Sequence, residues 1–502
     1  MTINEWLEIS EMSGKGNAKV TLTAPSYEEG VTRILQLAVK GRYGTRYVNI
    51  RQDSKEEILV NQYFWVLLEE DGQISGITSN TIQYSYDRES WVSFPSNGSI
   101  TVPDNTYVWF RNTSPILNAT NVSIILFTKR GSVGGNLSSL GDMREENFRN
   151  LFWDNENLTD ASKLILPWDV LEDSCFMNMF KNCTSLTTAP QLPATTLAYG
   201  CYVAMFSGCT SLTTVPQLPA TTLAEKCYGS MFSGCSSLTT APELLATNLV
   251  FNCYYCMFRG CTSLVNAPTL HATTLADSCC ESMFEDCTSL TTAPQLPATT
   301  LAEYCYYGMF FNCTSLVNAP QLPATELARY CYYYMFENCT SLTTAPELPA
   351  TELAYCCYNS MFDGCTSLTT TPTLPATTLS LSCYWGMFRD CSSLTTAPIL
   401  PATTLSSSCY RGMFSGCTSL TNAPELPATT LEDSCYLSMF NGCTNLNYIK
   451  MLATDIDAVA CLSSWVKGVA ENGTFVKRPD MDDLPIGEDG IPEGWTVIEI
   501  TE

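Results

Sequence analysis

Histidine is almost missing from this chain: His271 stands alone among 502 residues. Any Ser-His or Cys-His nucleophile pair would have to include it. It replaces a proline in a recurring loop motif, where an incidental role is expected. Basic residues are scarce as well, with 25 Lys and Arg against 50 Asp and Glu and a formal charge of −25. Phosphate backbones are bound through a cationic footprint, so nucleic acid is not expected as a partner. No apolar run approaches the roughly 20 residues that span a bilayer, so no membrane insertion is expected. The opening MTINEWLEIS has neither a basic start nor an apolar core, and no export signal is visible in it. It implies either use without export or a leader already removed. Charged residues make up only 15% of the chain and hydrophobic ones 45%, so most of it should be folded.

Cysteine, by contrast, is abundant, and its 26 copies expose the organisation. From Cys175 to Cys461 one recurs every 26 residues without a slip, and a second column runs eight residues behind it from Cys183 to Cys443. Only Cys256, Cys280 and Cys356 fall outside the two columns. The unit reads C-Y-x-x-M-F-x-x-C-[TS]-S-L-x-x-A-P-x-L-P-A-T-x-L-x-x-x. Leu197, Cys201, Met205 and Cys209 recur every four residues, which predicts one face of a short helix. Thr222 with Glu225, and Thr300 with Glu303, form a capping-box pattern at its start. The residue before each second cysteine is Gly, Asn or Asp, from Asn182 and Gly208 to Gly442. These tolerate the left-handed φ of a helix C-terminus. A short strand stopped by proline should follow, with Leu212, Val215 and Leu218 inward. Cys201, Met205, Phe206, Cys209, Leu212, Leu218 and Leu223 are the expected core of one coil.

A single unit cannot fold alone. Its five large apolar side chains contribute about 1.5–3 kcal/mol each, whereas ordering the backbone costs roughly 1–2 kcal/mol per residue. The coils must stack and bury each other's faces. With helices packed about 8–10 Å apart, neighbouring cysteines would lie beyond the roughly 7 Å reach of a disulfide, and reduced, buried thiols are expected. Zinc favours compact clusters with histidine, so neither metal nor any other cofactor is expected. The acidic stretch Asp480, Asp482, Asp483 and Glu488 lacks calcium-loop order and suits a solvated tail.

Met205-Phe206, Cys209 and Leu212, repeated at Met335-Phe336, Cys339 and Leu342, resemble the signature of BspA-like leucine-rich repeats over about residues 171–460. At the other end, Trp6, Gly14-Lys15-Gly16-Asn17, Arg33 and Ile50-Arg51-Gln52 resemble BACON domains, immunoglobulin-like modules of gut Bacteroidetes and their phages. The chain starts at the tryptophan, so that sandwich is expected to be incomplete or completed by another chain. The fold expected is thus multidomain: N-terminal all-β immunoglobulin-like modules, then an α/β leucine-rich-repeat solenoid of about eleven coils. Its divisions are a BACON-like sandwich at 1–55, a second β-module at 56–133, an N-terminal cap at 134–174, the solenoid at 175–446 and a C-terminal cap at 447–502. Strands are expected at Tyr63–Leu68, Thr81–Tyr86, Trp91–Phe94, Thr106–Phe110 and Val122–Thr128, with a turn at Asp87–Ser90.

The repeats vary just before the first cysteine and just before the methionine. Aromatics gather there in the middle coils: Phe251, Tyr255, Tyr304, Tyr307, Tyr330, Tyr333, Tyr334, Tyr355 and Trp385. Exposed Tyr and Trp suit glycan stacking or protein hot spots; filling gaps between helices is the competing expectation. No carboxylate stands out as catalytic, and no enzyme is expected. The resemblances imply an adhesion protein that binds a host-surface or mucosal glycan or protein, sited in a phage virion as a tail or fibre component beside other virion proteins. The alternatives are a bacterial cell-surface adhesin and a purely structural virion decoration protein.

Overall fold

A computed structural model describes residues 62–500 except 78, 80, 96–97, 115–123 and 482–483, together with four strands nearer the N-terminus. Those four are β1 (Glu8–Ile9), which pairs with β2 (Leu22–Thr23), and β3 (Arg33–Gly41), which forms a hairpin with β4 (Gly44–Gln52). The rest of the BACON-like segment lies outside the described residues.

The second module is a β-structure built from β5 (Phe64–Leu68), β6 (Gly72–Ser75), β7 (Ile82–Ser85), β8 (Val92–Ser93), β9 (Ser99–Val102), β10 (Tyr107–Asn112), β11 (Leu126–Phe127) and β12 (Gly131–Asn136). Each of the five expected strands coincides with one of these, and the Asp87–Ser90 turn joins β7 to β8. β6, β9 and β12 were not expected. The boundary drawn at 133/134 cuts through β12, which is the joint of the molecule. On one side β12 pairs antiparallel with β5; on the other it pairs parallel with β13 (Leu158–Ile165), the strand of the first coil. Asp160 of β13 then bridges Thr188, and Thr188 bridges Thr214. The module's sheet therefore runs straight into the stacking ladder of the solenoid and covers its open end, as a cap must. One continuous apolar core extends from Phe64 to Trp495.

The repeat region is a β-solenoid of about 14 turns. It corrects the expected α/β coil, because the segments read as helices are chains of tight turns; among the described residues the only helical element is the short 3₁₀ turn Leu137–Ser139. In one coil Cys201, Val203, Met205, Ser207 and Cys209 each donate their backbone N–H to the residue three before. The alternate residues donate across to the next coil: Tyr202 to Cys227, Ala204 to Gly229, Phe206 to Met231 and Gly208 to Ser233, at 2.7–3.0 Å. Gly200, Ala204 and Gly208 have φ of 58°, 51° and 75°. A left-handed residue every fourth position breaks an α-helix and leaves a chain of tight turns. The expected left-handed φ before the second cysteine is present in every coil from Asn182 to Gly442. The Thr-Glu pairs consequently cap no helix. The expected strand shrinks to single parallel bridges such as Thr240–Asn266–Thr292.

Backbone hydrogen bonding between coils fixes their spacing at the strand separation of about 4.8 Å, not at a helix packing distance. Like residues therefore stack in columns. Phe152 to Phe440 form an unbroken ladder of near-parallel rings, 5.1–5.8 Å between centroids. The tyrosine after each first cysteine forms a second ladder. It is interrupted where Cys280 stands in the tyrosine column between Tyr254 and Tyr306. Trp465 closes both ladders against Tyr436 and Phe440. Its indole N–H donates to Gly490, while that of Trp495 donates to Ala470. This anchors the last residues, including β14 (Tyr448–Lys450), β15 (Thr474–Lys477) and β16 (Thr496–Glu499), as further turns of the stack.

All 26 cysteines are free and buried. The distance argument against disulfides does not hold, since the true coil spacing brings column neighbours closer than a helical coil would. What the structure shows in its place is a second use for the thiol. Each second-column Sγ from Cys183 to Cys443 donates to a phenylalanine carbonyl of the preceding coil, as Cys209 does to Phe180 and Cys339 to Phe310, at 3.0 and 3.1 Å. Burial pushes these thiols well above their ordinary pKa, which holds them as neutral donors. Cysteine here is a small core residue that also satisfies a carbonyl.

Candidate interaction surface

The four-residue turns divide side chains into two sets. Cys201, Met205, Phe206, Cys209, Leu212, Leu218 and Leu223 are all buried. Of the residues between them, Tyr202 and Ala204 are buried as well, while Val203 and Ser207 are only half-buried. Equivalent residues line up in straight columns, one row per coil, and the variable positions are among these.

Two of the variable columns have left-handed φ, and most coils place Ser, Gly, Asn or Ala there, as at Ser278, Ser282, Ser382 and Gly386; Ser282 and Ser382 are buried there. The middle coils do otherwise. Tyr304, Tyr330 and Tyr334 occupy these positions with φ of 55°, 57° and 58°. A bulky side chain in this region costs roughly 1–2 kcal/mol, and backbone strain of this kind gathers at functional surfaces.

The structure brings six of the eight aromatic site candidates into one cluster. Tyr304 stacks on Tyr330 at 4.7 Å and Tyr307 on Tyr333 at 5.2 Å, while Tyr355 meets Tyr330 edge-on at 5.0 Å. The Tyr333 hydroxyl donates to that of Tyr334 at 2.9 Å. Phe311, which the sequence did not single out, joins through Tyr334. Trp385 stands apart with Arg411 over its ring at 4.5 Å, and Arg329 covers Tyr355 at 5.4 Å. Tyr255 lies on the far side of Glu281 in the same column and is partly exposed. The rings fill no gap between helices, because there are none. They stack along the solenoid axis, so within each stacked pair a ring face is spent on its neighbour. Burial raises the hydroxyl of Tyr307 to about 12, so it remains a hydrogen-bond donor at neutral pH.

Beside the cluster sits a carboxyl pair that pattern reasoning did not find. Glu337 and Asp363 occupy the same column in adjacent coils. Burial, then the other's charge, raises Glu337 to about 7; burial raises Asp363 to about 6, and the Arg389 guanidinium paired with it opposes the rise. The signal was present in the sequence as two acids 26 residues apart, yet without the coil spacing nothing marked them as neighbours. Among the described residues no group of three or more His, Cys, Asp or Glu is arranged to hold a metal ion. His271 is exposed, remote from both features in the chain's coil order.

A stacked array of leucine-bearing turns with a near-invariant interior and a varied exterior defines a leucine-rich-repeat scaffold. The family model described as "BspA type Leucine rich repeat region (6 copies)" matches residues 171–317, 281–418 and 357–460. Together these cover more than half of the chain, which belongs to the BspA-type leucine-rich-repeat family. No curated protein and no solved structure matches it. Such repeats indicate a protein-interaction or adhesion role, and the scaffold is typically non-catalytic.

Proposed function

We propose that this is a recognition protein that docks a protein ligand, displayed on a host or mucosal surface, against the tyrosine cluster of its middle coils. The observation that carries the reading is the placement of Tyr304, Tyr330 and Tyr334 at left-handed positions. Their strain opposes folding, and serine or glycine at the same positions serves other coils of this chain. Tyrosine hydroxyls and ring edges beside Arg329 are the chemistry of protein hot spots. A glycan stacked on ring faces is the weaker fit, because one face of each stacked ring is already taken by its neighbour. The setting inferred, a phage tail or fibre component or else a bacterial cell surface, draws on the resemblances to BACON domains and to surface repeats.

The test replaces Tyr304, Tyr330 and Tyr334 together by serine, the residue other coils use there. Binding of both proteins to whole bacteria and to mucosal cells is compared. A loss of about tenfold or more with a melting temperature no lower than the parent's supports the reading. Equal binding assigns the tyrosines to packing, and co-purification with virions without any cell binding makes the protein a structural decoration.

A further inference from the structure

The N-terminal sheet has two faces: one packs into the continuous apolar core, and the other carries Trp65 and Trp109, which are themselves buried. Side chains alternate along a strand. Phe64, Val66 and Leu68 of β5 enter the core with Val108 and Phe110 of β10. The odd-numbered residues face the other way: Trp65 on β5, with Tyr63 just before it, and Tyr107, Trp109 and Arg111 on β10. Register places Trp65 opposite Trp109, Trp109 opposite Ser85, and Arg111 opposite Gln83, so they form one surface.

This surface is a platform of rings and guanidinium groups. Trp65 lies over the backbone of Gly134 and Gly135, where any Cβ would collide with it. Tyr107 meets Trp65 edge-on at 5.0 Å and stacks on Trp109 at 5.5 Å. At the β7–β8 end, Tyr63 meets Trp91 at 4.9 Å. Arg88 sits over Trp109 at 4.9 Å, and Arg111 sits over Trp91 at 4.3 Å.

Two properties indicate what it accepts. The first is charge. Neither arginine has a carboxylate partner among the described residues. Asp87, next to Arg88, is committed to its own turn, where one oxygen accepts from the Ser90 and Glu89 backbone and the Ser85 hydroxyl. Arg111 donates only sideways, to Gln83 at 2.9 Å. In a chain of formal charge −25, two unneutralised guanidinium groups on one sheet face stand out. The second is hydrogen-bonding balance. The indole N–H of Trp65, the indole N–H of Trp109 and one Nη of Arg88 are buried donors without acceptors. Trp65 and Trp109 are only 2% and 8% exposed. Buried polar groups are ordinarily satisfied, and here the unsatisfied ones are all donors and all adjacent. A surface rich in donors, cations and rings, and poor in acceptors, is complementary to anionic oxygens carried on a hydrophobic-faced ring.

We propose that this sheet face is a second binding site, separate from the solenoid surface, for a uronate-bearing acidic polysaccharide. Sugar carboxylates engage Arg88 and Arg111, and pyranose C–H groups lie against whatever of the half-buried Trp91 and Tyr107 rings Arg111 and Trp109 leave uncovered.

The full chain is titrated calorimetrically with polygalacturonate and, separately, with the same polymer fully methyl-esterified, which keeps the rings and removes the charge. Polygalacturonate is expected to bind and the ester to bind at least about tenfold more weakly, with added salt weakening only the acid form. The double variant Arg88→Gln, Arg111→Gln should lose binding by a similar factor. Tyr334→Ser should not change it, which separates this site from the solenoid face. Absence of polygalacturonate binding, equal binding of acid and ester, or an unaffected double variant would each overturn the proposal. The acid–ester comparison needs no variant to fold.

Discussion

The two sides of the same four-residue turn follow opposite rules. Inward, Met, Phe and Cys repeat almost without change, and from Phe152 to Phe440 each phenylalanine ring stacks on its own kind. Outward, three backbone positions per coil share a left-handed conformation, yet their side chains range from glycine to tyrosine. The interior is selected for sameness because stacking couples each coil to the next. The exterior is free to differ, and in the middle coils it differs at a cost to the fold.

The largest break in that comparison is expected inside. Phe310→Ala removes a ring held between Phe284 and Phe336 and should destabilise by about 3–5 kcal/mol. Denaturant unfolding should then split into two transitions, as the coils on either side lose their coupling. The outside should respond with the opposite sign. Tyr334→Gly relieves a strained backbone and should stabilise by about 1 kcal/mol, visible as a higher unfolding midpoint together with weaker ligand binding. A third change sharpens the interior rule by completing it. Cys280→Tyr restores the tyrosine ladder between Tyr254 and Tyr306 and should add about 0.5–1.5 kcal/mol through ring stacking, read by the same melt.

The smallest effect concerns pH. The folded-state value of Glu337 is about 7 against an ordinary 4.5, so the folded state holds this proton more tightly. Its stabilising share is complete below about pH 4.5, declines as pH rises and is lost above about 7. Glu337→Gln should therefore raise the melting temperature at pH 8 and leave it unchanged at pH 4. Because the side chain is partly solvated, the gain should be under about 1 kcal/mol.

Much of this was legible before any coordinates. The 26-residue period dictated a stack, and glycine, asparagine or aspartate before each second cysteine gave the left-handed residue its place. The helix was misread because a four-residue apolar repeat fits both a helix face and a chain of turns. The deciding signal was there in two further columns of small residues: Ser174, Gly200 and Ser278 before the first cysteine, and Asn178, Ala204 and Ser230 before the methionine. Strand β12 was missed for another reason. Its sequence, Gly-Ser-Val-Gly-Gly-Asn, has no apolar alternation, since Gly134 and Gly135 are there to seat Trp65. The aromatic positions could be read as variable, but their mutual stacking depends on coil spacing, which composition does not encode.

A stack whose storeys are interchangeable has no privileged height. Each floor offers the next an equivalent ceiling: a phenylalanine ring, a carbonyl awaiting a thiol, alternate N–H groups pointing along the axis. Removing or duplicating a whole storey of 26 residues, between Cys365 and Cys391 for instance, leaves both terminal caps seated as before. A gain or loss of any other number of residues would misalign every ladder at once. The architecture thus makes reach an adjustable quantity, altered in steps of roughly 4.8 Å, while the roof and foundation stay the same.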